Sequence, residues 1–209
     1  MKKMMALQIT CLILVSGALG GMLVYTNVYE RVQLGIVEVL CLSCLKLDPK
    51  TLVEFTFETA NGKPNPEFVL DNLSKGPVFL AFRSDVCDAC DIMEPIIQDI
   101  FSVHFEKEET VVKTIIINDV NVTLIHINLD HSPKELIDSI FIYDADHVGG
   151  VPQFVIISYG YERGFVKPVY GTAYGTLNLG SNGERKEFLE ELIQNGIDEY
   201  IENHAGHLE

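Results

Sequence analysis

Arg83-Ser84-Asp85-Val86-Cys87-Asp88-Ala89-Cys90-Asp91-Ile92-Met93-Glu94-Pro95 joins two segments of opposite character. Before it, Pro77-Val78-Phe79-Leu80-Ala81-Phe82 is a short, unbroken apolar run, the pattern of a buried strand. After it, Met93, Ile96, Ile97, Ile100 and Phe101 recur at helical spacing. The two cysteines therefore stand where a strand ends and a helix begins. There, unpaired backbone N–H groups and the helix dipole favour a thiolate at the first cysteine. Two intervening residues let the second thiol fold back onto a mixed disulfide formed by the first. A lone C-x-x-C also serves zinc sites, but one that follows a buried strand and opens a helix points to redox chemistry.

The rest of the chain sets the frame. With 209 residues it holds one domain with a proper core plus a modest extra segment. A hydrophobic fraction of 47% excludes a disordered chain, and a net charge of −15 argues against nucleic acid, whose phosphates would repel it. Five cysteines are too few for a disulfide scaffold. Four of them form two C-x-x-C pairs, Cys41/Cys44 and Cys87/Cys90, and Cys11 lies in the hydrophobic N-terminus as a small apolar residue.

Lys2 and Lys3 precede a charge-free run from Met4 to Tyr29, long enough to span a bilayer. The lysines place that end in the cytoplasm and everything after Tyr29 outside. The rival is a cleavable signal peptide, with Ala18-Leu19-Gly20 as a small-residue cleavage site. Residues 1–29 are thus a membrane anchor or signal peptide, and either puts the domain outside the cytoplasm, where disulfides persist. Residues 30–50 form a juxtamembrane helix or linker. Leu34, Val37, Cys41, Cys44 and Leu45 fall on one helical stripe there, and Pro49 ends it.

The domain proper is expected over residues 51–204, with 205–209 as a tail. Leu52–Glu58 alternates like a strand, Glu67–Leu73 reads as a helix, and the active-site helix should run to about Phe105. Val111–Ile117 and Val122–Asn128 are strand candidates joined by the hairpin signal Asn118-Asp119-Val120-Asn121. Ser132 should cap a helix with Pro133 in its first turn. Val151–Ser158 and Phe165–Tyr170 are strands about a turn at Tyr159–Gly164. A Gly-rich connection over residues 171–183 then leads into a last helix from Glu184 to about Asn203.

Several of these features together resemble the thioredoxin superfamily. Besides Cys87-Asp88-Ala89-Cys90 after its strand, Pro95 would kink the helix as the family's does. Val151-Pro152 before Gln153-Phe154-Val155-Ile156-Ile157 looks like the family's cis-proline loop. Ile127-Asn128-Leu129-Asp130-His131-Ser132-Pro133 resembles its third strand and exit. The resemblance covers roughly residues 51–204. It departs at Ala81, where many members carry a buried acid, and at Val86, where they carry tryptophan.

The resemblance implies an α/β, thioredoxin-like fold, a central mixed β-sheet flanked by helices, preceded here by an N-terminal transmembrane helix. Together with the N-terminal anchor, it implies an extracytoplasmic, membrane-tethered thiol–disulfide oxidoreductase with Cys87 as nucleophile and Cys90 as resolving thiol. Val151 and Pro152 would shape the substrate groove, Val151 offering backbone hydrogen bonds to an extended peptide. The expected partners are cysteine-containing protein substrates and a membrane redox partner, with no small-molecule cofactor and no metal. Cys41/Cys44 is the candidate secondary redox pair, against a reading of two small apolar residues on a buried stripe. The alternative function is a non-enzymatic binding module of the same fold, holding a metal or protein partner through its cysteines.

Overall fold

The computed structural model describes residues 53–204. The membrane anchor or signal peptide, Cys11, the segment carrying Cys41 and Cys44, and the C-terminal tail lie outside the described residues. Among the described residues, no helix is long and apolar enough to cross a membrane.

In chain order the elements are α1 (Glu67–Leu73), β1 (Val78–Arg83), α2 (Asp88–Ile100), β2 (Val111–Ile117), β3 (Val120–Asn128) and α3 (Lys134–Asp138). A 3-10 turn (Ser139–Phe141) follows, then β4 (Gln153–Glu162), β5 (Phe165–Tyr174) and α4 (Asn182–His204). The strands form one mixed sheet in the order β2-β3-β1-β4-β5. β1 lies at its centre, parallel to β3 and antiparallel to β4. A central strand covered on both faces has no solvent side, so all six residues of β1 are buried and its sequence is an apolar run, not an alternation. Phe79 and Ala81 enter the core beneath α2 and α4, with Met93, Ile97, Leu192 and Ile197. Val78, Leu80 and Phe82 enter the opposite core, with Val69 and Leu73 of α1 and with Tyr143. The sheet is an α/β layer with helices on both faces.

Both hairpins are tighter than their sequences suggest. β2 and β3 turn on Asn118 and Asp119 alone, and β4 and β5 on Arg163 and Gly164, all four with positive φ. Positive φ at both central residues is the two-residue turn whose twist matches the flanking strands, and Asn, Asp and Gly tolerate it best. As a result β4 and β5 run through the expected turn at Tyr159–Gly164 and into the expected Gly-rich connection.

Two local expectations are corrected. Leu52–Glu58 is not a strand where it is described: Thr56 alone bridges, exchanging backbone hydrogen bonds of 2.9 and 3.0 Å with Tyr170. The chain then turns away, because the Ala60 N–H donates to the Ile142 carbonyl. Ser132 does not cap α3. Pro133 occupies the cap position, and the Ser132 hydroxyl pairs with Thr110 Oγ1 at 2.6 Å instead.

Candidate active site

The C-terminal end of β1 delivers Arg83 to the start of α2, with Ser84-Asp85-Val86 as the only connection. Cys87 is the cap residue of α2, extended at φ −149° and ψ 92°. Its carbonyl accepts from the Cys90 and Asp91 N–H groups, and its Sγ accepts from the Cys90 N–H at 3.1 Å. A sulfur that caps a helix sits against orphan donors that stabilise negative charge. Cys90 lies one turn inside, 3% exposed, and is joined to the half-buried Cys87 by a disulfide with Cα atoms 5.2 Å apart.

The Val151–Pro152 peptide bond is cis. Pro152, immediately before β4, lines with Cys90 a cavity of about 10 Å³. Its carbonyl accepts from the Gly175 N–H, and the loop before it is braced by the buried Asp144 carboxylate, which accepts from the Val148 and Gly149 N–H groups and the Tyr174 hydroxyl. Cys87, Cys90 and Pro152 are thereby brought to one place, with Val151 beside them. A cleft of about 510 Å³ lined by Val53, Tyr170, Tyr174 and Phe188 contains none of these residues.

Two polar networks hold the loop. Asp85 Oδ1 accepts from Asn128 Nδ2 and Oδ2 meets His131 Nε2, both at 2.8 Å, while the Asp85 N–H donates to Asp130. The Asn128 hydrogen bond first, and then His131, holds the Asp85 carboxyl below the usual carboxylate range. Behind the pair, the Arg83 guanidinium is almost fully buried and forms ion pairs with Glu94 and, at 3.2 Å, with Asp91. Lys107 meets Asp91 at 2.7 Å and, more than Arg83, keeps that carboxyl ionised. Arg83 and Lys107 thus both face carboxylates.

Sequence reasoning placed Arg83 near the pair but missed Glu94 and His126. The signal for Glu94 was its place four residues after Cys90, on the same helix face. His126, opposite Ala81 in the β1–β3 register, lies tilted against Phe105 at 4.2 Å between ring centroids and lines the same cavity as Cys90. Its Nδ1 lies 2.9 Å from the Glu109 carbonyl, which can only accept, so the neutral ring carries its proton there. Burial pushes its pKa from 6.5 down to about 4. The fold thus accommodates the neutral ring, and this contribution to stability is complete above about pH 6.5 and lost as the pH falls through about 4. The loss amounts to up to roughly 3 kcal/mol. Urea unfolding at pH 7 and pH 4.5 should show a smaller acid-induced loss in His126→Gln than in the wild type. An equal loss in both would assign the acid sensitivity to other groups.

Among the described residues, no group of three or more His, Cys, Asp or Glu side chains is arranged to hold a metal ion. No protein-family model matches the chain, and no curated protein matches it at a significant level.

Proposed function

We propose that this chain is a thioredoxin-like thiol–disulfide oxidoreductase, tethered to the membrane with its domain on the extracytoplasmic side. The observation that carries the reading is the Cys87–Cys90 disulfide at the start of α2, one cysteine half-buried and the other enclosed, at the end of a central strand. The mixed sheet between helix layers and the position of Pro152 against Cys90 support it.

In the reduced form Cys87 attacks a sulfur of a substrate disulfide. The substrate's S–S bond breaks, and one half leaves as a thiolate. Cys90 then attacks Cys87 Sγ, closing the disulfide and releasing the second half. The substrate gains two electrons and the pair loses two; oxidation of a substrate dithiol runs the same steps in reverse. Cysteine-containing proteins are the substrate class. The Val151 N–H and carbonyl make no backbone hydrogen bond among the described residues, which leaves them for strand-like pairing with an extended peptide. Cys41/Cys44, between anchor and domain, would meet Cys87 at high effective concentration and pass electrons to or from a membrane partner.

Incubating the full chain with glutathione at graded ratios of oxidised to reduced form tests the reading. The Cys87–Cys90 couple should equilibrate, and its midpoint assigns the physiological direction. A couple that does not exchange would leave a binding module in place of an enzyme. For the tether, retention in membranes after alkaline washing is expected; a soluble chain beginning near Gly21 would replace the anchor by a cleaved signal.

A further inference from the structure

Resting on the exchange chemistry above, we propose that Glu94 accepts the proton of the Cys90 thiol, with Arg83 as the fixed countercharge that permits the transfer. Cys90 must lose that proton to attack the mixed disulfide, yet it is 3% exposed and has little direct contact with water. The polar side chains lining the cavity beside it are Arg83, Glu94 and His126. Glu94 stands one helical turn beyond Cys90 on the same face of α2. Its Oε2 is buried against Arg83, while its Oε1 accepts from Gln98 Nε2 at 3.4 Å on the partly open side. One carboxylate therefore borders the cavity beside the enclosed thiol and also meets Gln98 on its other oxygen. Asp91 faces Arg83 from the exposed side and is shared with Lys107; neither lines the cavity. His126 keeps its proton on Nδ1 against Glu109 and takes a second only near pH 4.

A thiol is a far weaker acid than a carboxyl group in water, so the countercharge decides whether the transfer proceeds. Before transfer, Arg83 faces the Glu94 carboxylate; afterwards it faces the Cys90 thiolate beside a neutral Glu94. The charge around the cavity is unchanged, and no buried charge is left uncompensated at either stage. In the step, the Cys90 S–H bond breaks and the proton passes to Glu94 Oε2, directly or through one water, for which a cavity of about 10 Å³ is at the lower bound. The sulfur's electron pair forms the bond to Cys87 Sγ. The bond from Cys87 to the substrate sulfur breaks, the substrate leaves with that electron pair, and Glu94 returns the proton to it or to solvent.

The reduced full chain, with Cys11→Ser, Cys41→Ser and Cys44→Ser, is mixed with one equivalent of 5,5′-dithiobis(2-nitrobenzoate) in stopped flow. The first thionitrobenzoate reports attack by Cys87, and the second reports resolution by Cys90. In Glu94→Gln the second release should slow about 10²-fold at neutral pH. It should then rise with pH through the ordinary thiol range, near about 8.5, with the slowing confined to that phase. Glu94→Asp should restore part of the rate. A second release within about twofold of the unsubstituted rate with the same pH profile, or equal slowing of both phases, would overturn the role of Glu94 while leaving exchange intact. Absence of any first release in the parent chain would overturn the exchange reading, and this one with it. Should Glu94→Gln fail to fold with Arg83 uncompensated, Arg83→Met/Glu94→Gln removes both charges and must show the same loss of the second phase.

Discussion

Cys87→Ser is expected to reduce thiol–disulfide exchange to the uncatalysed background, a loss on the order of 10³-fold or more, because the attacking sulfur itself is removed. Cys90→Ser is expected to leave the attack and lose its completion, so that mixed disulfides between Cys87 and substrate accumulate. The asymmetry follows from position. Cys87 is half-buried at the cap of α2 with its sulfur against the Cys90 N–H, whereas Cys90 is enclosed one turn further in. A donor aimed at the sulfur and the positive end of the helix stabilise thiolate on Cys87. Alkylation of the reduced protein at mild pH, followed by peptide mapping, should label Cys87 first, and non-reducing gels should show adducts only in the Cys90→Ser variant. Labelling of Cys90 before Cys87, or full exchange by Cys87→Ser, would reverse the assignment.

The pieces of this site that could be read from the sequence are those whose cause is local. β1 announced itself because a strand with both faces covered must be apolar throughout, and α2 because Met93, Ile96 and Ile97 recur on its one buried face. Cys87 and Cys90 are likewise near neighbours in sequence, three residues apart. Other features depend on contacts between distant residues and were misread accordingly. Gly160 and Gly171 looked like the punctuation of a turn and a loop, but each lies inside a strand where another side chain comes close. A Cβ on Gly160 would lie 2.9 Å from the Phe57 ring, and one on Gly171 would lie 2.7 Å from Val53. Glycine within a strand marks such an approach. The same contacts explain the false strand at Leu52–Glu58: Val53, Phe55 and Phe57 alternate because they rest on the sheet, not because they extend it. The expected strand ended at Phe82, and β1 runs one residue further to Arg83, whose buried partner Glu94 becomes visible only when α2 folds back over β1.

Gly196→Ala is expected to have a large effect on stability, and two opposed terms decide its sign. Within α4, alanine is favoured over glycine by about 1 kcal/mol, so propensity alone makes the substitution stabilising. Packing opposes it. A Cβ at this position would lie 2.3 Å from Cγ1 and 3.1 Å from Cδ1 of Ile156, a fully buried β4 residue held between β1 and β5. Ile156 is branched at Cβ and has few rotamers into which to retreat, and overpacking of this kind costs about 1–3 kcal/mol. Moving the helix outward instead would break the 2.7 Å hydrogen bond from the buried Ser158 hydroxyl to the Gly196 carbonyl, leaving a buried hydroxyl unpaired at about 1–3 kcal/mol. Packing wins, and Gly196→Ala should lose about 2–4 kcal/mol in urea unfolding. The cause is isolated by the background. Ile156→Ala alone costs about 2–5 kcal/mol, but it removes the obstructing atoms, so adding Gly196→Ala to it should recover about 1 kcal/mol. The same substitution then changes sign between the two backgrounds. If Gly196→Ala instead stabilises the wild type, or destabilises both backgrounds equally, the close seat of α4 on β4 does not rest on the missing side chain.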